Sequence, residues 1–286
     1  MEKLQEYNYR SLSLLKLSLI SLLFLSVFFP TYWHLYRRFI EPDSYYSHGF
    51  LIPFISLYLV WRKLQILKNL RLAPLNWGIF VLLSGLFLHV SCTALKLNFG
   101  SYLSIIVTLI GLILYLGGKK LLKELIFPIG FLLFMMPLPA VVIIGISFKM
   151  KILAAHIATV LVKAMGLNVV RQGSTVYLPE GFLVIGDPCS GLRSLISFFA
   201  LGVLFTQFCQ ATKLKKIILV IMTLPMALVS NVIRIMALII VAYIYGEKTA
   251  LGFFHDFMGM MVFVLGFIGF ILVAKLLRCR LTTEII

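Results

Sequence analysis

The sequence predicts an all-α polytopic membrane protein with about eight transmembrane helices, and three observations lead there. Of its 286 residues, 61% are hydrophobic and only 13% are charged, whereas a soluble domain is about half apolar and a quarter charged. The mean hydropathy is +1.04, and the apolar residues gather in runs near the roughly 20 residues that a spanning helix needs. The 26 Lys and Arg residues fall mostly between those runs and favour one side. A soluble globule of this size could not hide so much apolar surface. Disorder, a collagen-like fibre and a disulfide scaffold are excluded by the scarcity of polar residues and by a count of four Cys. In a soluble chain the net charge of +16 would suggest nucleic acid. Here it belongs to membrane-flanking loops, and nucleic acid is not an expected partner.

The first span is expected at about 12–30, with Lys16 close enough to its start to snorkel. The second, about 49–61, is short and can borrow length from Tyr45 and Tyr46. Spans at about 77–95, 101–117 and 125–138 follow, and after the stretch 139–188 come three more at 190–209, 217–244 and 257–274. The positive-inside rule tests this count. One side collects Lys3, Arg10, Lys16, Arg62, Lys63, Lys68, Arg71, Lys119, Lys120, Lys123, Lys213, Lys215, Lys216, Lys275, Arg278 and Arg280, which is sixteen of the 26. The other side holds eight: Arg37, Arg38, Lys96, Lys149, Lys151, Lys163, Arg171 and Lys248. Arg193 and Arg234 fall within spans. Both termini are therefore expected in the cytoplasm. The apolar run near the N-terminus is too long for a signal-peptide core and lacks a small-residue cleavage site, so an uncleaved first span is expected. No repeat or linker marks a second domain, and residues 1–286 are expected to form a single membrane domain.

The stretch 139–188 is apolar but broken by Lys149, Lys151, His156, Lys163 and Arg171. The spacing of Lys149, Lys151, His156 and Lys163 suits the polar face of a helix lying in the interface; a re-entrant pair of short helices over 139–170 is the alternative. From Gly173 to Pro188, Thr175-Val176-Tyr177 and Phe182 to Ile185 flank Pro179-Glu180-Gly181, which predicts a small β-hairpin.

Ionisable groups within a span cost roughly 2.5–3.5 kcal/mol at a helix centre, so each counts as a functional candidate. Three clusters gather at the expected outer ends of the last three spans. In Asp187-Pro188-Cys189-Ser190-Gly191-Leu192-Arg193-Ser194, Pro188 and Ser190 suit a first helical turn. Cys189 would then sit at a helix N-terminus, where free N–H groups favour a thiolate. Arg193 is expected one turn on, on the same face; the alternative is a buried packing cysteine. In Asn231-Val232-Ile233-Arg234-Ile235, Asn231 and Arg234 share a helical face. Arg234 either meets a reacting group or pairs with Asp187 or Asp256. The third cluster is Phe254-His255-Asp256-Phe257-Met258-Gly259, where His255 can move a proton or donate to an oxyanion. Cys92, Cys209 and Cys279 are expected to pack, and no Cys/His spacing suggests a metal. His34, His89 and His156 lack an evident partner. A stretch from Asp43 to Pro53 carrying His48 lies outside, before the second span.

Together these residues resemble the exosortase/archaeosortase family of membrane transpeptidases. The likeness rests on Cys189-Ser190-Gly191-Leu192-Arg193-Ser194, Asn231-Val232-Ile233-Arg234-Ile235 and His255 with Gly259. Tyr46-Ser47-His48-Gly49-Phe50-Leu51-Ile52-Pro53 and Phe131 to Pro139 reinforce it, so that it covers about 43–275. The resemblance implies Cys189 as the nucleophile that forms an acyl-thioester, with Arg234 and His255 sharing charge stabilisation and proton delivery. Arg193, Ser190, Asn231, Asp256 and His48 are expected in support. It further implies cleavage of a C-terminal tripartite sorting signal: a motif of Pro-Glu-Pro type, a hydrophobic span and a basic tail. A lipid or glycan acceptor at the outer leaflet of the inner membrane would then resolve the thioester, with no metal or organic cofactor. Some relatives carry an extra soluble domain, which is not expected here. An intramembrane cysteine protease releasing its product to water shares the first half-reaction. A transporter is the rival from another class.

Overall fold

The computed structural model describes residues 15–16, 18–41 and 44–281. The start of the first expected span, Lys3, Arg10, Asp43 and residues 282–286 lie outside the described residues. The chain opens with α1 (Ser18–Val27) and α2 (Phe29–Ile40), bent by 64°. Pro30 in the first turn of α2 has no N–H for the Ser26 carbonyl, which breaks the ladder there. The first expected span thus does not end at Pro30: it bends, and the helix runs on to Ile40. A 3₁₀ turn (Ser47–Phe50) leads to α3 (Ile52–Arg62), only about 16 Å long at 1.5 Å per residue. After it come α4 (Leu64–Lys68) and α5 (Gly78–Ala94).

The next element, α6 (Asn98–Phe131), runs through both expected spans 101–117 and 125–138. It is broken inside at Gly118, which has φ +80° and ψ −171°. That left-handed φ suits glycine, and a Cβ there would stand 1.8 Å from the Ala73 carbonyl oxygen. Ala73 N–H and Leu75 N–H donate to the Gly117 and Leu114 carbonyls at 3.2 and 3.1 Å, so the incoming loop satisfies groups that the break frees. The expected boundary at Lys119 and Lys120 is therefore a sharp glycine break without a separate loop. Lys63 Nζ meets Glu124 Oε2 at 3.0 Å, tying the end of α3 to the second half of α6. A 3₁₀ turn (Leu132–Met135) closes this half.

The stretch 140–164 is one continuous helix, α7 (Ala140–Ala164); no re-entrant pair of short helices forms. β1 (Val170–Gln172), β2 (Thr175–Leu178) and β3 (Gly181–Val184) then make an antiparallel meander. The expected hairpin is present, closed with Leu178 opposite Gly181, and β1 extends it by one strand. Val176 and Leu183, opposite each other, are buried. After a 3₁₀ turn (Asp187–Ser190) come α8 (Leu192–Phe205), β4 (Cys209–Gln210), α9 (Lys213–Tyr245), α10 (Glu247–Leu251), α11 (Phe253–Leu276) and β5 (Arg280–Leu281), with β5 pairing on β4.

Among the described residues, four helices are long and apolar enough to cross a membrane, or five if α1 and α2 count as one bent span. The four are α6 with its 3₁₀ extension, α7, α9 and α11. The other expected spans coincide with shorter apolar helices: α5 for 77–95, α8 for 190–209 and α3 for 49–61. Two large cores result. One joins Phe28, Leu35, Ile52, Tyr102, Ile105, Ile129 and Met135. The other joins Ala154, Ala158 and Val162 of α7 to Val176, Leu183, Cys189, Ile235, Ile239 and Ala250.

Candidate active site

Cys189 sits in the turn between the sheet and α8, where its N–H donates to the Gly186 carbonyl at 3.1 Å. Helix α8 begins only at Leu192, because Gly191 has φ +75°. Cys189 is thus not in the first turn of that helix, and the expected helical i,i+4 relation with Arg193 is not made. A Cβ on Gly191 would meet Asn231 Cγ at 2.9 Å, so both conformation and space call for glycine here. Asn231 is fully buried, and its Nδ2 donates to the Cys189 carbonyl at 2.8 Å. Ser190 Oγ accepts from Leu192 N–H at 3.4 Å, and Ser194 Oγ donates to the Gly191 carbonyl at 2.9 Å. These bonds fix the thiol's backbone from both sides.

Arg234, one turn after Asn231 on α9, is 9% exposed. Its Nη2 donates to His255 Nε2 and to the His255 carbonyl, each at 3.2 Å. A guanidinium only donates, so Nε2 presents its lone pair and the ring proton lies on Nδ1. Nδ1–H then donates to Asp256 Oδ1 at 3.1 Å. Cys189 is 3% exposed, and its thiol lies close to the His255 ring. Gly259, one turn after His255, packs beside the guanidinium: a Cβ there would lie 3.6 Å from Arg234 Nη2, an ordinary van der Waals contact.

The structure therefore brings together Cys189, Asn231, Arg234, His255 and Asp256 from three separate stretches of chain. Ser190 serves the start of α8. His48 belongs to a neighbouring group: Ser197 Oγ donates to the Arg193 backbone carbonyl at 2.9 Å and lies 3.2 Å from His48 Nδ1. Lys151 of α7 was not among the sequence candidates, yet its Nζ meets Asp187 Oδ1 at 2.7 Å and anchors the cysteine turn. A lysine in the middle of an apolar helix was the available signal. Ser197 carried none, since its role depends on a helix contact, and Gly191 stood in the cysteine motif without its backbone role being legible. Cys92 and Cys209 are buried; burial, then the neighbouring Cys279, pushes the Cys209 thiol up, as suits a packing residue. Among the described residues no cluster of His, Cys, Asp or Glu could hold a metal.

Apolar helices around a buried thiol and guanidinium and a half-buried imidazole define an integral membrane protein with a candidate cysteine site. The chain belongs to the transmembrane exosortase family, whose model, Exosortase_EpsH, matches residues 32–272. That range contains Cys189, Arg234, His255 and His48. Comparisons with curated proteins and with solved structures gave no match.

Proposed function

We propose that the chain is a membrane-embedded cysteine transpeptidase that cleaves a C-terminal sorting signal through an acyl-thioester on Cys189. The observation that carries this reading is the convergence of the Cys189 thiol and the Arg234 guanidinium on His255, whose Nε2 accepts from Arg234 Nη2 at 3.2 Å. In this scheme Arg234 turns from Nε2 to the substrate carbonyl, which frees that lone pair to take the thiol proton, Asp256 holds Nδ1–H, and sulfur attacks the carbonyl of the scissile amide. The C–N bond breaks, the acyl group stays on sulfur, and His255 passes its proton to the departing amine of the tail. Arg234 stabilises the developing oxyanion, because a guanidinium keeps its protons in proteins and is poorly suited to delivering one. An amine or hydroxyl acceptor on a lipid or glycan then takes the acyl group, and water in its place would give simple proteolysis. No metal or organic cofactor enters this scheme.

The proposed topology has about eight crossings, with both termini cytoplasmic and Cys189 at the outer leaflet of the inner membrane. The Gly118 break supports counting α6 as two crossings. Helix α7 is proposed to run along the outer interface. Three contacts favour this: Ser147 with Tyr45 at 3.2 Å, Lys151 with Asp187, and buried alanines against the sheet that precedes Cys189. A membrane-impermeant thiol reagent should label a cysteine placed at Ser47 or Glu247 but not at Gln65 or Thr212; the reverse pattern would overturn the orientation. The reaction itself is tested by mass spectrometry of a substrate's new C-terminus. A lipid or glycan adduct supports transfer, a free carboxylate supports the protease, and an uncut tail in the presence of active enzyme would refute both.

A further inference from the structure

The sheet that precedes Cys189 has a free edge, and that edge lies on the strand leading to the thiol. Strand β3 ends the order β1-β2-β3. Ile185 N–H donates to the Ser174 carbonyl at 2.9 Å, and Leu183 stands opposite Val176 and Gly181 opposite Leu178. Backbone groups point to alternate sides along a strand, so Gly181, Leu183 and Ile185 turn theirs toward β2. Phe182 and Val184 turn theirs outward. Among the described residues no other group bonds to the N–H or C=O of either, and their side chains are 47% and 44% exposed. Sheets ordinarily guard such an edge with charged side chains or proline. The opposite edge, on β1, does so, because its outward residue is Arg171. Strand β3 reads Gly-Phe-Leu-Val and carries neither guard.

The outward row ends at the nucleophile. Gly186 is still extended, with φ −74° and ψ 177°, so its carbonyl is the next in the row after those of Phe182 and Val184. It accepts from Cys189 N–H at 3.1 Å, which puts the cysteine turn across the end of the free edge. At about 3.3 Å per residue, Phe182 and Gly186 stand roughly 13 Å apart, the reach of a few extended residues. At the other end, Gly181 and Phe182 border a cavity of about 610 Å³ whose far wall holds Tyr243, Tyr245 and Glu247. Room for an incoming chain therefore exists beside the start of the strand. An unpaired row of N–H and C=O groups matches the spacing of one more extended backbone, and peptides bind by adding to such edges. A thiol also needs its target amide outside a helix, where the carbonyl would already be bonded. Phe182 stands opposite Tyr177, and Tyr177 opposite Val170, which makes an exposed apolar row. Every second side chain of an added strand would extend that row.

We propose that the substrate segment flanking the scissile bond adds to β3 as a fourth strand, its backbone paired with Phe182 and Val184, and so carries the scissile carbonyl to Cys189. This rests on the reading of the chain as a cysteine transpeptidase and names how its peptide is held. Phe182 and Val184 are positioning residues in it. The test is disulfide trapping in membranes. The enzyme carries Val184→Cys with Cys92→Ala, Cys189→Ala, Cys209→Ala and Cys279→Ala, so that bound substrate stays uncut. A substrate with its sorting signal receives one cysteine at a time at successive residues around the cut, and copper phenanthroline oxidises the pair. Cross-links should appear at every second substrate residue, the period of a strand. In the otherwise native chain, Val184→Pro removes an outward N–H that the sheet does not use. It should melt close to the parent and process substrate about tenfold more slowly, near the worth of one peptide hydrogen bond. Arg171→Pro makes the same change on the other edge and should process as the parent does. Cross-links at helical spacing, none at all with substrates that the parent cleaves, or parental processing by Val184→Pro would overturn the edge assignment and leave the nucleophile standing. Cleavage by Cys189→Ala would instead overturn the reading on which it rests.

Discussion

The molecule buries two polar clusters, and they are built on different principles. The one around His89 is neutral and closed on itself. His89 Nε2–H donates to the Val27 carbonyl at 3.2 Å, and its Nδ1 faces Ser101 Oγ and Ser104 Oγ at 3.4 Å each. Ser101 Oγ also meets Thr31 Oγ1 at 2.8 Å and Thr93 Oγ1 at 3.3 Å. Val27 is the last residue before the 64° bend, and the ring of Phe28 lies 4.3 Å from His89. This cluster repairs a broken helix. The cluster around Cys189 holds a permanent charge, a thiol and an imidazole whose lone pair accepts from that charge. Among the described residues Asn231 Oδ1 is buried there without a hydrogen-bond partner, which carries a desolvation cost. The difference separates polar groups that satisfy a backbone from polar groups kept available for a reaction.

The contrast is broken most directly at sulfur. Cys189→Ala should abolish substrate processing while the melting temperature in detergent changes little, and Cys189→Ser should be nearly as inactive, since an alcohol has a far higher pKa than a thiol. Arg234→Lys is next: Nη2 of the planar guanidinium donates to two acceptors on His255, and a strongly hydrated ammonium point charge is a poor substitute for it. Its processing rate at matched enzyme level should fall by about 2–4 kcal/mol of transition-state stabilisation, the loss typical of one positioned donor. Near-normal turnover would make Arg234 a structural cation. Asn231→Ala should cost about 1–3 kcal/mol through the orphaned Cys189 carbonyl, read as a lower melting temperature together with slower processing.

On the other side of the comparison, His89→Leu should cost a similar 1–3 kcal/mol of stability and leave processing per folded molecule unchanged. A specific activity that falls with it would erase the distinction between the clusters. The smallest effects belong to Cys92→Ala, Cys209→Ala and Cys279→Ala, each expected to retain processing in the same membrane assay.

Hydropathy located the apolar elements well. The limits of α5, α9 and α11 fall within a few residues of the runs 77–95, 217–244 and 257–274. The Pro179-Glu180-Gly181 turn was equally visible, because its residues constrain the backbone locally. Hydropathy measures apolar length and does not report where a helix bends. The sharp break at Gly118 and the 64° bend before Pro30 were therefore misplaced or missed. The site followed the same division. Cys189, Arg234, His255 and Asn231 stood out because such groups are expensive among apolar neighbours. His89 and His34 were set aside as lacking partners, yet His89 has those above and His34 Nδ1 meets Tyr102 Oη at 2.5 Å. Val27 lies 62 residues from His89 and Tyr102 lies 68 from His34 along the chain, distances that no local pattern spans. The Lys151–Asp187 pair, 36 residues apart, was hidden for the same reason.

The proposal that Cys189 forms an acyl-enzyme can be examined on the protein itself. Intact-mass and peptide mass spectrometry would be run on enzyme recovered from membranes containing a substrate with its sorting signal. The expected result is a substrate-derived acyl group on the peptide carrying Cys189, released by neutral hydroxylamine as a thioester should be, and absent from Cys189→Ala. Substrate that is cleaved while Cys189 remains unmodified, together with continued cleavage by Cys189→Ala, would contradict it.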